Sequence, residues 1–370
     1  MPQDLLSPLL ARGGIRLSPG PLLSEAVAPK PADFDFARVE GMLLGLAIGD
    51  ALGVPTESQL PRDRRARHGE IRDYVPNRYA GDGRGYPSDD TQLAFWPLEH
   101  LMEHGSLDPD GLAQTFASGG RIFGIGQTVR AFLAAYKGGA AWYEAGPESA
   151  GNGALMRIAP VVVPHLKTGG TAVWHDVAIA SMLTHNDYAS TASCLAFARM
   201  LWDLLDMPEA PATDWWRERF VELAGPLEGA SRYRPRGGDF TDYEGPLSRY
   251  VDERLRWAER AGVSTVDACN AWYSGAYLME TVPSVLLILS RYAGDPEEAI
   301  VRAVNDTRDN DTAAAIVGAA VGALHGRGKL PGRWVEGLAG WTRVGEEGRV
   351  FEVVEGVRGR FWGDEPLGRK

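Results

Sequence analysis

"FARVEGMLLGLAIGDALG", residues 36–53, is an apolar run in which glycine returns at every fourth position, at 41, 45, 49 and 53. A spacing of four puts all of them on one face of an α-helix. Each glycine costs roughly 1 kcal/mol of helix propensity relative to alanine. Such a stripe makes sense where another backbone packs closely against it. "DTAAAIVGAAVGALHG", residues 311–326, repeats the device with Gly318, Gly322 and Gly326. The sequence therefore predicts two central, tightly packed helices. Glycine spacing of this kind is also used between membrane helices, but Asp50 and the flanking charges argue against that reading here. No stretch is expected to reach the ~20 apolar residues that a membrane span needs.

Helical periodicity continues outward from these two segments. It is clear in residues 91–104, with a kink expected at Pro97, and in residues 108–117, with Asp108 as N-cap and Pro109 in the first helical position. Residues 128–136, 173–184, 189–205, 246–262 and 276–292 share it. Sustained period-two alternation is scarce. Residues 206–246, with "MPEAPATDWW" and "RPRGGDFTDYEG", read as a loop-rich insertion. Residues 1–35 carry prolines at 19, 21, 29 and 31, which predicts an extended arm. A solvated tail is one reading of it. Leu5, Leu6, Leu9, Leu10, Leu22 and Leu23 favour docking, either on the chain's own domain or on a partner. The expected organisation is this arm followed by one all-α domain over residues 36–370.

The composition excludes several classes. The chain has 370 residues, 44% hydrophobic and 24% charged, which is ordinary for a globular protein. Its 38 basic and 49 acidic residues give a net charge of −11, so general nucleic-acid binding is not expected. Cys194 and Cys269 lack CxxC spacing, which speaks against a zinc site or a disulfide framework. Asp4 and Pro8 break any secretory signal, so a cytoplasmic location is expected.

Two acidic loops carry the chemistry: "SDDT" at 88–91 and "DNDT" at 309–312. Each precedes a helical segment, so each is by itself explained as a helix N-cap. Brought together in space they would repel one another without a counter-charge. Oxygen donors of this kind bind hard divalent cations. Ser88, Asp89 and Asp90 with Asp309, Asp311 and Thr312 would hold one or two Mg²⁺ or Mn²⁺ ions. Neither loop has both the glycine and the glutamate of an EF-hand, and no GxxxxGK[ST] occurs.

Five stretches in order resemble the ADP-ribosylglycohydrolase family: "GMLLGLAIGDALGVPTE" (41–57), "PSDDTQLAF" (87–95), "GNGALMRIAPV" (151–161), "THNDYASTASCLAFA" (184–198) and "DTRDNDTAAAIVGAAVGALHG" (306–326). The resemblance implies a compact orthogonal all-α domain with a di-metal centre, usually two Mg²⁺. It implies hydrolysis of the glycosidic bond between ADP-ribose and a protein side chain, with arginine as the expected acceptor. The family's metal ligands fall on Ser88, Asp89, Asp90, Asp309, Asp311 and Thr312, with serine at 88 where threonine is usual. Its acid–base residues fall on Glu57 and Asp90. Its substrate-lining positions fall on Gly124, Ser149, Gly151, Asn152, Gly153 and His185.

Blander readings stand beside these. Asn152 alone fits a left-handed turn, His185 a structural histidine, and Glu57 a surface carboxylate. Trp142, Tyr143, Trp215 and Trp216 suit a core or surface patch better than an adenine platform. A second functional expectation is an immunity protein, or antitoxin, whose N-terminal arm blocks a cognate ADP-ribosyltransferase toxin, with or without hydrolysis.

Overall fold

A Cβ built on Gly45 would stand 2.1 Å from the carbonyl oxygen of Gly318, and one on Gly318 would stand 2.0 Å from that of Gly45. These glycines belong to the helices Ala37–Gly53 and Asn310–His325. The contact repeats along the pair: Gly41 meets Gly322, Gly49 meets Ala314, and Gly53 meets the backbone of Asp311. Numbers rise on one helix as they fall on the other, so the two run antiparallel with backbone on backbone. The hydrogen in place of each missing Cβ points at the facing main chain, a weak but repeated C–H···O contact. Gly326 closes the stripe, with its backbone against Gly41. It follows the last turn with φ +78° and ends the helix there, a conformation open to glycine.

The computed structural model describes residues 4–76 and 81–363. The helices Asp89–His104, Tyr188–Leu204, Leu278–Tyr292 and Pro296–Asp306 surround the central pair. The helix Arg349–Phe361 packs on the first central helix and on Asp89–His104, while Ala172–Met182, Thr213–Ala224 and Leu247–Ala261 lie further out. Among the described residues there is no β-strand, only isolated bridges such as Gly151 with Tyr277. The chain is an all-α, compact, largely orthogonal helical domain. The segment Ala37–Thr56 corrects one expectation: with mean hydropathy 1.3 it is long and apolar enough to cross a membrane. Yet 89% of its most apolar window is buried inside the protein.

The arm is docked on the domain over its described part. It forms a short helix, Leu6–Ala11, and a turn, Pro21–Ser24. Leu6, Leu9, Ile15, Leu17, Leu22 and Val27 are buried in the main hydrophobic core. Lys30, also buried, donates to the Trp202 carbonyl at 2.7 Å and to Asp206 at 2.6 Å. Residues 1–3 of the expected arm and 364–370 of the expected domain lie outside the described residues. Residues 206–246 are not all loop, since the helix Thr213–Ala224 buries Trp216 and Phe220 there. The helix Asp89–His104 continues through Pro97 and ends at Gly105, whose φ is +79°. Asp108 caps its helix as expected, accepting from the Asp110 N–H at 3.3 Å.

Candidate active site

Because Gly53 lies against Asp311, the C-terminal end of the first central helix meets the N-terminal end of the second. That junction brings both acidic loops together. Asp90 and Asp311 group with Asp50, and Asp309 and Asp311 group with Glu57, each set having carboxylate oxygens within 4.8 Å of one another. The two groups share Asp311. They open on a cavity of about 470 Å³. Glu57, Asp89, Asp90, Asp309, Asp311 and Thr312 line it, and so do Gly124, Ser149, Gly151, Asn152, Gly153 and His185.

Ser88 is the one expected site residue that does not line the cavity. Its N–H and hydroxyl both donate to Asp50, each at 2.8 Å. Asp50 also accepts from the Thr91 N–H at 3.0 Å and the Thr91 hydroxyl at 2.6 Å. The start of the helix Asp89–His104 is thus capped from a different helix, and Ser88 makes no cap bond of its own. Asp50 accepts all four of these bonds, three at Oδ2 and one at Oδ1, which makes it the anchor of the first acidic loop. The sequence carried a signal for this role, since a carboxylate inside a glycine-striped apolar helix needs partners.

The other side chains are held as firmly. The Asn152 amide donates to Asp309 at 2.5 Å and to the Thr281 hydroxyl at 2.9 Å. The Thr312 hydroxyl donates to Asp90 Oδ1 at 3.1 Å, while Asp90 Oδ2 is buried and has no hydrogen-bond partner among the described residues. A Cβ on Gly124 would stand 2.8 Å from Asp89 Oδ1, and the residue adopts φ +80°, so that position requires glycine. Ser149 bonds the Thr128 hydroxyl at 2.9 Å. A 3₁₀ turn, Leu155–Arg157, follows the "GNG" stretch, so no α-helix N-terminus faces the cavity there.

Several lining residues lay outside the sequence expectation, among them Tyr277, Arg236 and Thr128. Tyr277 and Arg236 line the cavity wall, and Thr128 stands beside Ser149. The Arg236 Nε and Nη2 lie 3.1 and 2.8 Å from the carboxylate of buried Glu280, and its guanidinium carbon sits 4.7 Å from the Tyr277 ring centre. Nothing in "RPRGGDF" sets this arginine apart from its neighbours. Trp142, Tyr143, Trp215 and Trp216 pack in or against the core, and none lines the cavity.

The electrostatics follow from geometry. Burial first, and neighbouring carboxylates second, push Asp89, Asp90 and Asp311 well above the usual carboxylate range. Burial raises Asp309 to about 7, against the hydrogen bond from Asn152. Protons are a poor solution for a dense set of hard oxygen donors with an orphaned buried Oδ2. Divalent cations fit it better, and the two carboxylate groups have the capacity to bind them.

One consequence concerns stability. Asp309 has an ordinary value of 3.8, so between there and about 7 the folded chain keeps a proton that the unfolded chain releases. The metal-free protein should therefore lose stability as pH rises through that window, reaching the full loss above about 7. Divalent ions compete with those protons, so the gain in Tm on adding Mg²⁺ should be larger at about pH 8 than at about pH 5. Thermal unfolding with Mg²⁺ and with EDTA at both pH values checks this. Equal gains would show that these carboxylates do not bind the ion.

Comparison with known proteins comes to the same region of protein space. The sequence profile of the ADP-ribosylglycohydrolase family matches residues 31–362. The ADP-ribosylarginine hydrolase Tri1 of Pseudomonas putida (strain GB-1) is 28% identical over 322 residues, covering 83% of this chain and 75% of its own. The ADP-ribosyl-[dinitrogen reductase] glycohydrolase of Rhodospirillum rubrum is 26% identical over 305 residues, covering 81% and 90%. A solved structure described as an ADP-ribosylglycohydrolase-related protein complex superposes with a TM-score of 0.63 at 24% identity, over 89% of this chain and 99% of that one, and supports the fold.

Proposed function

The chain belongs to the ADP-ribosylglycohydrolase family, and from that premise we propose that it is a divalent-metal-dependent hydrolase that releases ADP-ribose from ADP-ribosylated arginine. The observation that carries this reading is the cavity that joins two carboxylate groups, sharing Asp311, to a wall of glycines and small polar residues. The carboxylate end suits the ribose and its scissile bond. The glycine wall lets backbone approach the rest of the nucleotide.

Hydrolysis breaks the bond from C1″ of the ribose to the acceptor nitrogen and forms one from C1″ to a water oxygen. A proton from the water ends on the leaving nitrogen. As the bond breaks, positive charge builds on the sugar, and the carboxylates of Asp89 and Asp90 lie on the cavity wall to offset it. Thr312 and Asn152 hold Asp90 and Asp309 in fixed orientations, so little reorganisation is needed during the reaction. Glu57 stands half-buried at the edge of its group, where it can take the water's proton and pass it to the leaving group. Bound cations supply ribose orientation and a water of lowered pKa, and the oxygen donor set favours Mg²⁺ or Mn²⁺. Asp89, Asp90, Asp309, Asp311 and Thr312 are the residues placed to hold them, with two ions fitting two groups.

Arginine as acceptor draws support from the name of the Pseudomonas putida relative and from the carboxylates that line the cavity, which suit a cationic guanidine. The toxin-blocking alternative draws no support from the arm, whose leucines at 6, 9 and 22 are occupied in the chain's own core. The test is release of ADP-ribose from an arginine-modified protein, with Mg²⁺ and with EDTA, beside a serine-modified protein. Release from arginine that needs the metal is the expected result. Release from serine alone would overturn the acceptor, and release in EDTA would overturn the metal dependence.

A further inference from the structure

Arg157 is buried, at 1% exposure, and among the described residues its Nε and Nη1 find no hydrogen-bond partner. A buried guanidinium without a carboxylate is costly to fold, and the reaction outlined above makes no use of it. Its Nη2 donates to the Ala180 carbonyl at 2.8 Å and to the Thr184 hydroxyl oxygen at 2.7 Å. The Thr184 oxygen in turn lies 2.9 Å from Nδ1 of His185, which lines the cavity.

The direction of this relay is fixed by what each group can do. Arginine only donates. The Thr184 oxygen therefore accepts from Arg157, and its own proton has Nδ1 of His185 as its neighbour. With Nδ1 accepting, the neutral ring carries its proton on Nε2. The opposite tautomer would make the Thr184 oxygen accept twice and leave its hydroxyl proton unpaired in a buried site, a costly arrangement. Nε2 lies on the cavity side, beside the glycine wall: a Cβ on Gly153 would come within 3.1 Å of it, and one on Gly151 within 3.4 Å.

We propose that Arg157 and Thr184 are positioning residues that lock His185 as the Nε2–H tautomer, so that it offers one fixed N–H donor to an oxygen of the bound nucleotide sugar. It does not serve as a proton acceptor in the reaction. Burial, aided by the charge of Arg157, pushes the imidazole down to about 3, which keeps it neutral throughout the working range. The choice of ligand rests on the function proposed above. The tautomer does not.

The experiment uses the full-length ¹⁵N-labelled protein. Long-range ¹H–¹⁵N correlations report which ring nitrogen of His185 carries the proton, and calorimetry reports ADP-ribose affinity. The wild type should show a protonated Nε2. Thr184→Val keeps the shape and removes the hydroxyl, so it should disturb the tautomer and weaken ADP-ribose binding roughly 3- to 10-fold. Thr184→Ser should restore both. A wild-type spectrum with the proton on Nδ1 overturns the proposal, whether or not any variant folds. An altered tautomer in Thr184→Val with wild-type affinity overturns the donor role. Failure of wild type to bind ADP-ribose at all, with Nε2 protonated, would sink the functional reading and leave the tautomer standing.

Discussion

Asparagine in place of Asp311 should abolish hydrolysis and leave the chain folded. Asp311 is the carboxylate common to both acidic groups, so losing its charge weakens both candidate cation positions at once. Changing an outer-shell partner of a metal site typically costs ~10–100-fold. A shared ligand should cost about 10³-fold or more in kcat/KM, on the scale of losing a major transition-state contact. The effect on stability should have the opposite sign. Burial and the charges of Glu57 and Asp309, among others, hold the Asp311 carboxyl well above its usual range, so the ionised form strains the fold at neutral pH. Asparagine removes that strain and can keep the bond that Asp311 Oδ1 accepts from the Thr312 N–H at 3.0 Å. In EDTA at neutral pH the variant should melt at or above the wild-type temperature, and Mg²⁺ should stabilise it less. A variant that loses activity because it unfolds would point to a structural role for Asp311.

The second large effect lies in the glycine stripe. Gly45→Ala adds one carbon 2.1 Å from the Gly318 carbonyl oxygen and 2.8 Å from its carbonyl carbon. Both atoms are helix backbone, so no side chain can move aside and the two helices must separate. Overpacking of a core typically costs ~1–3 kcal/mol. Here the clash falls at the midpoint of the central pair, and a loss of at least ~3 kcal/mol is expected, more than offsetting the ~1 kcal/mol gain in helix propensity. Separation of the helices also moves Asp311 away from Asp50, so metal affinity should fall with stability. Gly294→Ala, where a Cβ meets nothing within 4 Å, is the control and should change little. Urea unfolding of the two variants decides it: a Gly45→Ala protein as stable as wild type would mean the helices are not packed backbone to backbone.

Much of this was legible in the sequence because it depends on short-range pattern. A four-residue glycine period announces close packing wherever the partner lies, and the helix-start residue Asp108 acts where it stands. The acidic loops were legible because dense carboxylates make little sense apart from a cation. What escaped depends on long-range geometry. The role of Asp50 needs the knowledge that Ser88 and Thr91 fold back onto it. Arg236 reaches the cavity through a pairing with Glu280 that no local pattern encodes. Prolines at 19, 21, 29 and 31 predict an extended arm, yet Pro21 begins a turn, and Leu6, Leu9 and Leu22 find the core.

The two glycine-striped helices have a consequence for how the protein is made. Residues 54–309 lie between them, so during synthesis the first leaves the ribosome long before its partner exists. Through that interval the nascent chain carries an apolar helix of bilayer-spanning length with nothing to cover its glycine face. Contacts this distant in sequence form late and leave apolar surface open to aggregation. The same segment that closes the core at the end is therefore, until then, a substrate for chaperones and a decoy for membrane-insertion machinery.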